Sequence, residues 1–300
     1  MDELAGGEGA WRFDGETVRL DYRTDRGQDP MLAQLGRCEV AIGAVAGVEF
    51  RPKAAWRRWS LELVLRDGMD PYAAVGAALS KRSHPFRLTG PAKTTLLAEY
   101  WADQVRYMAG QAATTPMSAQ ERRRALVALV APLPMHIQTS EGVASFDGAT
   151  VRLLWSGASA GRRKRRAQRR EFPLTALAKV EWAPSDGWEW GYLRLIAEGD
   201  QGETATKPKQ DLTCLRCDEG KQGAAGLLLA ATITAHLFAD RAEATPALPS
   251  PGPESKALSE LAAGSERTSE LLQMLEQLRA AGVLTEAEFA AKRADLLGPS

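Results

Sequence analysis

Phe13-Asp14-Gly15-Glu16-Thr17-Val18-Arg19-Leu20 recurs as Phe146-Asp147-Gly148-Ala149-Thr150-Val151-Arg152-Leu153, with seven of eight positions identical at an offset of 133. A second echo lies at an offset of 132. It matches Glu39-Val40-Ala41-Ile42 and Val48-Glu49-Phe50-Arg51-Pro52 to Glu171-Phe172-Pro173-Leu174 and Val180-Glu181-Trp182-Ala183-Pro184. Two matches in one order and at similar spacing mark a duplicated unit. Each copy opens as a hairpin, because Asp-Gly suits a two-residue turn and tolerates positive φ. Val18, Leu20 and Tyr22, like Val151, Leu153 and Trp155, alternate as one face of a sheet.

Working outward, Val40 to Phe50 and Phe172 to Trp182 read as the next strands, followed by Trp59 to Leu65 and Trp190 to Ile196. Short closing strands are expected at His84 to Leu88 and Asp211 to Cys217, and closing helices at about 92–109 and 223–240. The fold class is therefore α+β, built from two tandem units. Several short antiparallel strands ending in one helix resemble a PH-like barrel, in which a curved sheet is closed by its C-terminal helix. Such a helix covers a sheet edge that would otherwise invite aggregation.

The expected organisation is a first repeat over 8–110, a connector over 111–142, a second repeat over 143–241, a Pro-rich linker over 242–266 and a terminal hairpin over 267–298. In the connector, Ser118 and Glu121 form a capping-box pattern ahead of a short helix over Arg122 to Val130, stopped by Pro132 and Pro134. The linker carries Pro246, Pro249, Pro251 and Pro253. In the tail, Leu271, Leu275 and Leu278 share a helical stripe, Gly282 serves as a C-cap and Thr285 to Glu288 is a second capping box. A hairpin of roughly thirty residues cannot bury a core of its own. Its apolar residues, Leu271, Leu275, Leu278, Leu284, Phe289 and Leu296, are expected to meet another copy or a protein partner.

The run from Leu271 to Lys292, with its Leu, Gly, Leu-Thr-x-x-Glu-Phe and Lys pattern, resembles the SHOCT family of short C-terminal bacterial domains. The Phe-Asp-Gly-x-x-Val-Arg and Val-Glu-[Phe/Trp]-x-Pro segments resemble an actinobacterial domain-of-unknown-function family, number 4429. The resemblance implies a tandem pair followed by SHOCT, with an oligomerising or partner-binding tail and no established activity.

Lys and Arg total 38 and so do Asp and Glu, so no global field draws the chain to nucleic acid or membrane. No basic start precedes an apolar run at the N-terminus, and the apolar stretch Gly223 to Phe238 is shorter than the roughly 20 residues that span a bilayer. A buried helix is expected there, with no transmembrane segment. Three cysteines without an export signal point to the cytoplasm.

Local charge is another matter. Arg162, Arg163, Lys164, Arg165, Arg166, Arg169 and Arg170 place seven cations in nine residues, a dense run that the first repeat lacks. Arg forks suit phosphate, so an anionic membrane or other phosphate-bearing surface is one reading; a solvated, disordered loop is the other. No aromatic residues are interleaved, which counts against nucleic acid.

Gly157-Ala158-Ser159-Ala160-Gly161 fits Gly-x-Ser-x-Gly, and Asp211 and His236 follow in the order a hydrolase triad would need. The strand-turn-helix setting of that motif is missing, so a serine hydrolase is a distant alternative. Cys214-Leu215-Arg216-Cys217 has no second cysteine pair for zinc, and its thiols would face opposite sides of a strand. His84, His136 and His236 have no ligand spacing. No catalytic residue, metal or cofactor is therefore expected. Trp155, Trp182 and Trp190 match Tyr22, Phe50 and Trp59 across the duplication and are read as core. Trp11, Trp56, Trp101 and Trp188 have no aromatic counterpart and are expected at the surface. The expectation for function is a non-enzymatic binding or scaffold protein, assembled through its tail. The alternative is a peripheral binder of anionic surfaces through 162–170.

Overall fold

Each repeat lays down a four-stranded antiparallel sheet, turns a corner, forms a three-stranded one and ends in a helix. This computed structural model describes residues 3–54, 58–75, 79–80, 82–199 and 207–244. The chain divides into two units, residues 1–245 and 246–300, and every described residue lies in the first. Leu271, Leu275, Leu278, Leu284, Phe289 and Leu296 fall outside the described residues, as do Trp56 and the 245–266 part of the linker.

In the first repeat, β1 (Leu4–Ala5), β2 (Gly9–Phe13), β3 (Thr17–Tyr22) and β4 (Arg37–Ala41) pair in that order, and α1 (Pro30–Leu35) sits between β3 and β4. A 3-10 turn at Ile42–Ala44 then leads into β5 (Val45–Ala54), β6 (Arg58–Leu65) and β7 (Arg87–Pro91), closed by α2 (Thr95–Ala112). After α3 (Ala119–Ala128) the second repeat follows the same plan. It has β8 (Met135–Gln138), β9 (Val143–Phe146), β10 (Thr150–Leu154), α4 (Arg162–Ala167) and β11 (Arg169–Pro173). A 3-10 turn at Leu174–Ala176 leads to β12 (Leu177–Ala183), β13 (Gly191–Ala197) and β14 (Cys214–Cys217), closed by α5 (Lys221–Ala244).

The described strands form four open antiparallel sheets and no closed barrel. The reason lies at the two 3-10 corners. There the chain leaves one hydrogen-bonded ladder and starts another, so β4 does not pair with β5, nor β11 with β12.

The hairpin turns fall one residue later than the Asp-Gly reading places them. Phe13 pairs with Val18 and Phe146 with Val151, so the central residues are Gly15–Glu16 and Gly148–Ala149. Both glycines lie in the left-handed region, at φ 106° and 101°. The aspartates act as side-chain staples. Asp14 Oδ1 accepts from the Glu16 and Thr17 N–H groups, and Asp147 Oδ1 accepts from those of Ala149 and Thr150. These amide bonds hold both carboxyls below the usual range, that of Asp147 at about 2.

Four further expectations are corrected. Trp11 and Trp101 are buried rather than at the surface, with ring centroids 5.7 Å apart under α2. The counterpart of Trp11 is Ala144, also fully buried, so the inward position persists while its volume changes. The first closing strand begins at Arg87 rather than His84, and the second at Cys214 rather than Asp211. The segment around 135–138, which the sequence reading leaves inside the connector, forms β8 and adds a strand to the second repeat's sheet. The connector helix starts at Ala119, because Ser118 and Glu121 close the capping box immediately before it.

α5 spans 24 residues, longer than its apolar core stretch, and by length and composition alone it could cross a bilayer. In the fold, 78% of that apolar window is buried against protein. α5 packs on β8, β12 and β13 of its own repeat, and also on α1, α3 and the Ala73–Val75 turn. Leu227 to Leu237 is buried on nearly every side, which explains an all-round apolar composition. Gly226 lets it approach β14, where a Cβ would lie 2.8 Å from Cys217 Sγ.

Candidate functional site

The basic run is organised, not loose. Gly161 leads into α4, and the turn after it ends at Gln168, whose N–H donates to the Lys164 carbonyl. Gln168 has φ 61°, a conformation the first repeat gives to Gly36 (φ 66°).

One cation of the seven is withdrawn from the surface. Lys164 is fully buried, and its Nζ donates to Glu141 Oε2 at 2.7 Å and to the Pro208 carbonyl at 2.8 Å. Glu141 is also fully buried and serves a second cation. Its Oε1 accepts from Arg216 Nε at 2.8 Å, and its Oε2 accepts from the Arg216 N–H. Arg216 continues to the Ser159 carbonyl and stacks on Trp190, 4.8 Å from the ring centroid. Burial pulls the Lys164 ammonium below the ordinary lysine range, against the opposing pull of Glu141. A buried carboxylate between two cations with its lone pairs satisfied is a structural pin. Lys164 therefore leaves the set of candidate anion-binding residues, because its charge is spent inside.

The other six, Arg162, Arg163, Arg165, Arg166, Arg169 and Arg170, are exposed. Arg170 lies over the Phe172 ring at 4.9 Å. Among the described residues, Arg162, Arg163, Arg165, Arg166 and Arg169 make no ion pair. Lys207 and Lys209, also exposed, join them, because the Lys207 to Gln210 turn lies against α4. The result is a shelf of cations fastened from beneath by Lys164. Sequence reading missed Glu141, Lys207 and Lys209. Glu141 lies 23 residues before Lys164 and 75 before Arg216, and no local pattern announces such a pairing.

The hydrolase triad is not assembled. Among the described residues, Ser159 Oγ is buried with no hydrogen-bond partner, and His236 Nε2 is likewise buried without one, its ring packed edge-on against Phe146. Asp211 is engaged with Thr213, Arg194 and Cys214. Burial raises the Cys38, Cys214 and Cys217 thiols to about 12, far from the thiolate that nucleophilic or metal chemistry uses. Among the described residues no cluster of His, Cys, Asp and Glu could hold a metal.

Of the tryptophans expected in the core, Trp59 and Trp155 are buried, while Trp182 and Trp190 are half-buried. Trp188 is exposed, as expected.

Among the described residues nothing covers the outer face of α2. Its inner face buries Ala98, Trp101, Ala102, Val105 and Ala109, while Leu96, Tyr100 and Tyr107 face solvent.

The sequence model of the family described as Domain of unknown function (DUF4429) matches residues 11–106 and again 144–234. That of the Short C-terminal domain (SHOCT) matches residues 270–297. No curated protein matches the chain. Neither family is a known enzyme domain.

Proposed function

The chain belongs to the DUF4429 family, carried twice in tandem and followed by SHOCT, and from that premise we propose a non-enzymatic protein that holds phosphate-bearing anionic surfaces on the arginine shelf of its second repeat. One observation carries this reading. In a chain of zero formal charge, five exposed guanidinium groups stand together with no acidic partner among the described residues. Like charges held so close repel, and a multivalent anion relieves that repulsion.

The proposal has three further parts. Each repeat is PH-like, a reading supported by four strands, a corner, three strands and a closing helix. The protein works in the cytoplasm. The SHOCT segment joins copies or captures a protein partner through Leu271, Leu275, Leu278, Leu284, Phe289 and Leu296, so that a weak shelf gains avidity.

The test is co-sedimentation of the full chain with vesicles of phosphatidylcholine and phosphatidylserine, and titration with soluble tripolyphosphate. Clustered basic residues at an anionic surface contribute about 1 kcal/mol each. The variant Arg163→Ser/Arg166→Ser/Arg169→Ser should therefore bind roughly a hundredfold more weakly. Binding that is absent in the parent, or survives in the variant, overturns the shelf. Light scattering of Leu275→Asp/Leu278→Asp reads the tail; a particle mass equal to the parent's, with no partner lost, overturns that part.

A further inference from the structure

α2 and α5 close the two repeats in the same way, yet among the described residues only α5 is covered on its outer face. Their inner faces align as Trp101, Ala102 and Val105 with Leu229, Ala230 and Ile233, all buried. In the same alignment Ala98 matches Gly226, whose backbone lies against Cys217 and Trp182 of its own sheet. The outer faces then align as Leu96, Tyr100 and Tyr107 with Ala224, Leu228 and Ala235. Leu228 and Ala235 are buried, because α5 packs on α1 and α3 as well as on its own strands. Leu96, Tyr100 and Tyr107 are 81%, 59% and 64% exposed. Large apolar side chains gathered on one helix stripe and left in water mark a contact surface.

The cover on α5 shows what fits such a place. Asp29, Pro30 and Met31, at the start of α1, line one cleft with Gly223, Ala224 and Leu227 of α5. Gln34 Nε2 donates to the Lys221 carbonyl at 3.3 Å. The helix between the third and fourth strands of the first repeat thus lies on the closing helix of the second. In the second repeat the helix in that position is α4. Made between copies, the same contact sets α4 of one chain on α2 of another.

The chemistry differs on both sides of that contact together. Where α1 brings Met31 to glycine and alanine, α4 carries Arg163 and Arg166, and α2 carries the rings of Tyr100 and Tyr107 beside Glu99 and Asp103. Guanidinium groups stack on aromatic faces and pair with carboxylates. Asp103 is paired with Arg106, while Glu99 makes no ion pair among the described residues.

We propose that the outer face of α2 receives α4 of a second copy, so that the chain associates with itself through its repeats, independently of the tail. This uses the exposed arginines and not the phosphate reading of them. A shelf engaged on α2 is closed to phosphate, so the two uses of α4 exclude one another. The contact is heterologous, joining two different surfaces of the same chain.

The experiment is sedimentation velocity in phosphate-free buffer on full chains that all carry Leu275→Asp/Leu278→Asp, which removes the apolar stripe of the tail. That parent should self-associate, and more weakly as salt rises. Glu99→Lys/Tyr100→Ser on α2 and Arg163→Glu/Arg166→Glu on α4 should each weaken the association about tenfold or more. All four residues are exposed, so both variants should melt with the parent. Mixed together, one variant still offers an intact α4 and the other an intact α2, so a one-to-one pair should form from two chains that do not associate alone. Misfolding cannot produce that gain. A monomeric parent, association of the α4 variant equal to the parent's, or a mixture that stays monomeric overturns the proposal.

Discussion

α1 and α4 occupy the same place in the two repeats and do opposite things. With β4 and β11 aligned at the offset of 132, Met31, Leu32, Leu35 and Gly36 correspond to Arg163, Lys164, Ala167 and Gln168. The backbone is shared down to the positive φ that ends each helix. α1 buries Met31, Leu32 and Leu35 and packs against α5. α4 buries Lys164 alone. The inward position is conserved between the repeats as a place, filled by a leucine in one and by an ion pair in the other. The outward position follows its surroundings: it is apolar where a helix waits and cationic where solvent does. Tandem arrays treat their last unit in this way, giving it a polar outer face.

The comparison breaks most sharply at the pin. Glu141→Ala strands the buried Lys164 and strips the half-buried Arg216 of its carboxylate, and should lower the unfolding free energy by about 3–5 kcal/mol, read by urea titration. Leu32→Ala, its apolar counterpart, should cost about 2–5 kcal/mol. A loss under about 1 kcal/mol for Glu141→Ala would mean that the triad does not hold α4. The closing helices give the next contrast. Leu229→Ala in α5 should cost about 2–5 kcal/mol, while Leu96→Ala on the open face of α2 should stay within about 0.5 kcal/mol.

At the helix ends, Gln168→Gly should stabilise by about 1 kcal/mol and Gly36→Ala should cost a similar amount, because only glycine adopts that conformation without strain. The smallest effect is acidic. The Asp147 carboxyl sits at about 2, below its ordinary 3.8, so its stabilising contribution is complete above the ordinary value and is lost as pH falls toward 2. Asp147→Asn should flatten that limb of the stability–pH curve. An unchanged slope between about pH 4 and pH 2 would show that the staple does not titrate with folding.

What could be read from residues was local. The two Phe-Asp-Gly hairpins, the alternation along β3 and β10, the capping box at Ser118 and the buried helix around Leu229 all follow from neighbours in sequence. What could not be read was pairing at a distance. Lys164 looks like its six arginine neighbours until Glu141 is brought beneath it from a different strand connection. Trp11 looks unmatched until α2 lays Trp101 against it. Even the turn register required knowing that Asp14 bonds with its side chain instead of occupying a central position.

α5 touches α1, α3 and the Ala73–Val75 turn on one side and its own strands on the other. Ancestral modules that each closed alone would have parted cleanly at the seam between the copies. Here a cut near residue 115 would take α1 and the Ala73–Val75 turn away from α5 and leave it α3 and its own strands. The two copies therefore share one buried helix across their seam.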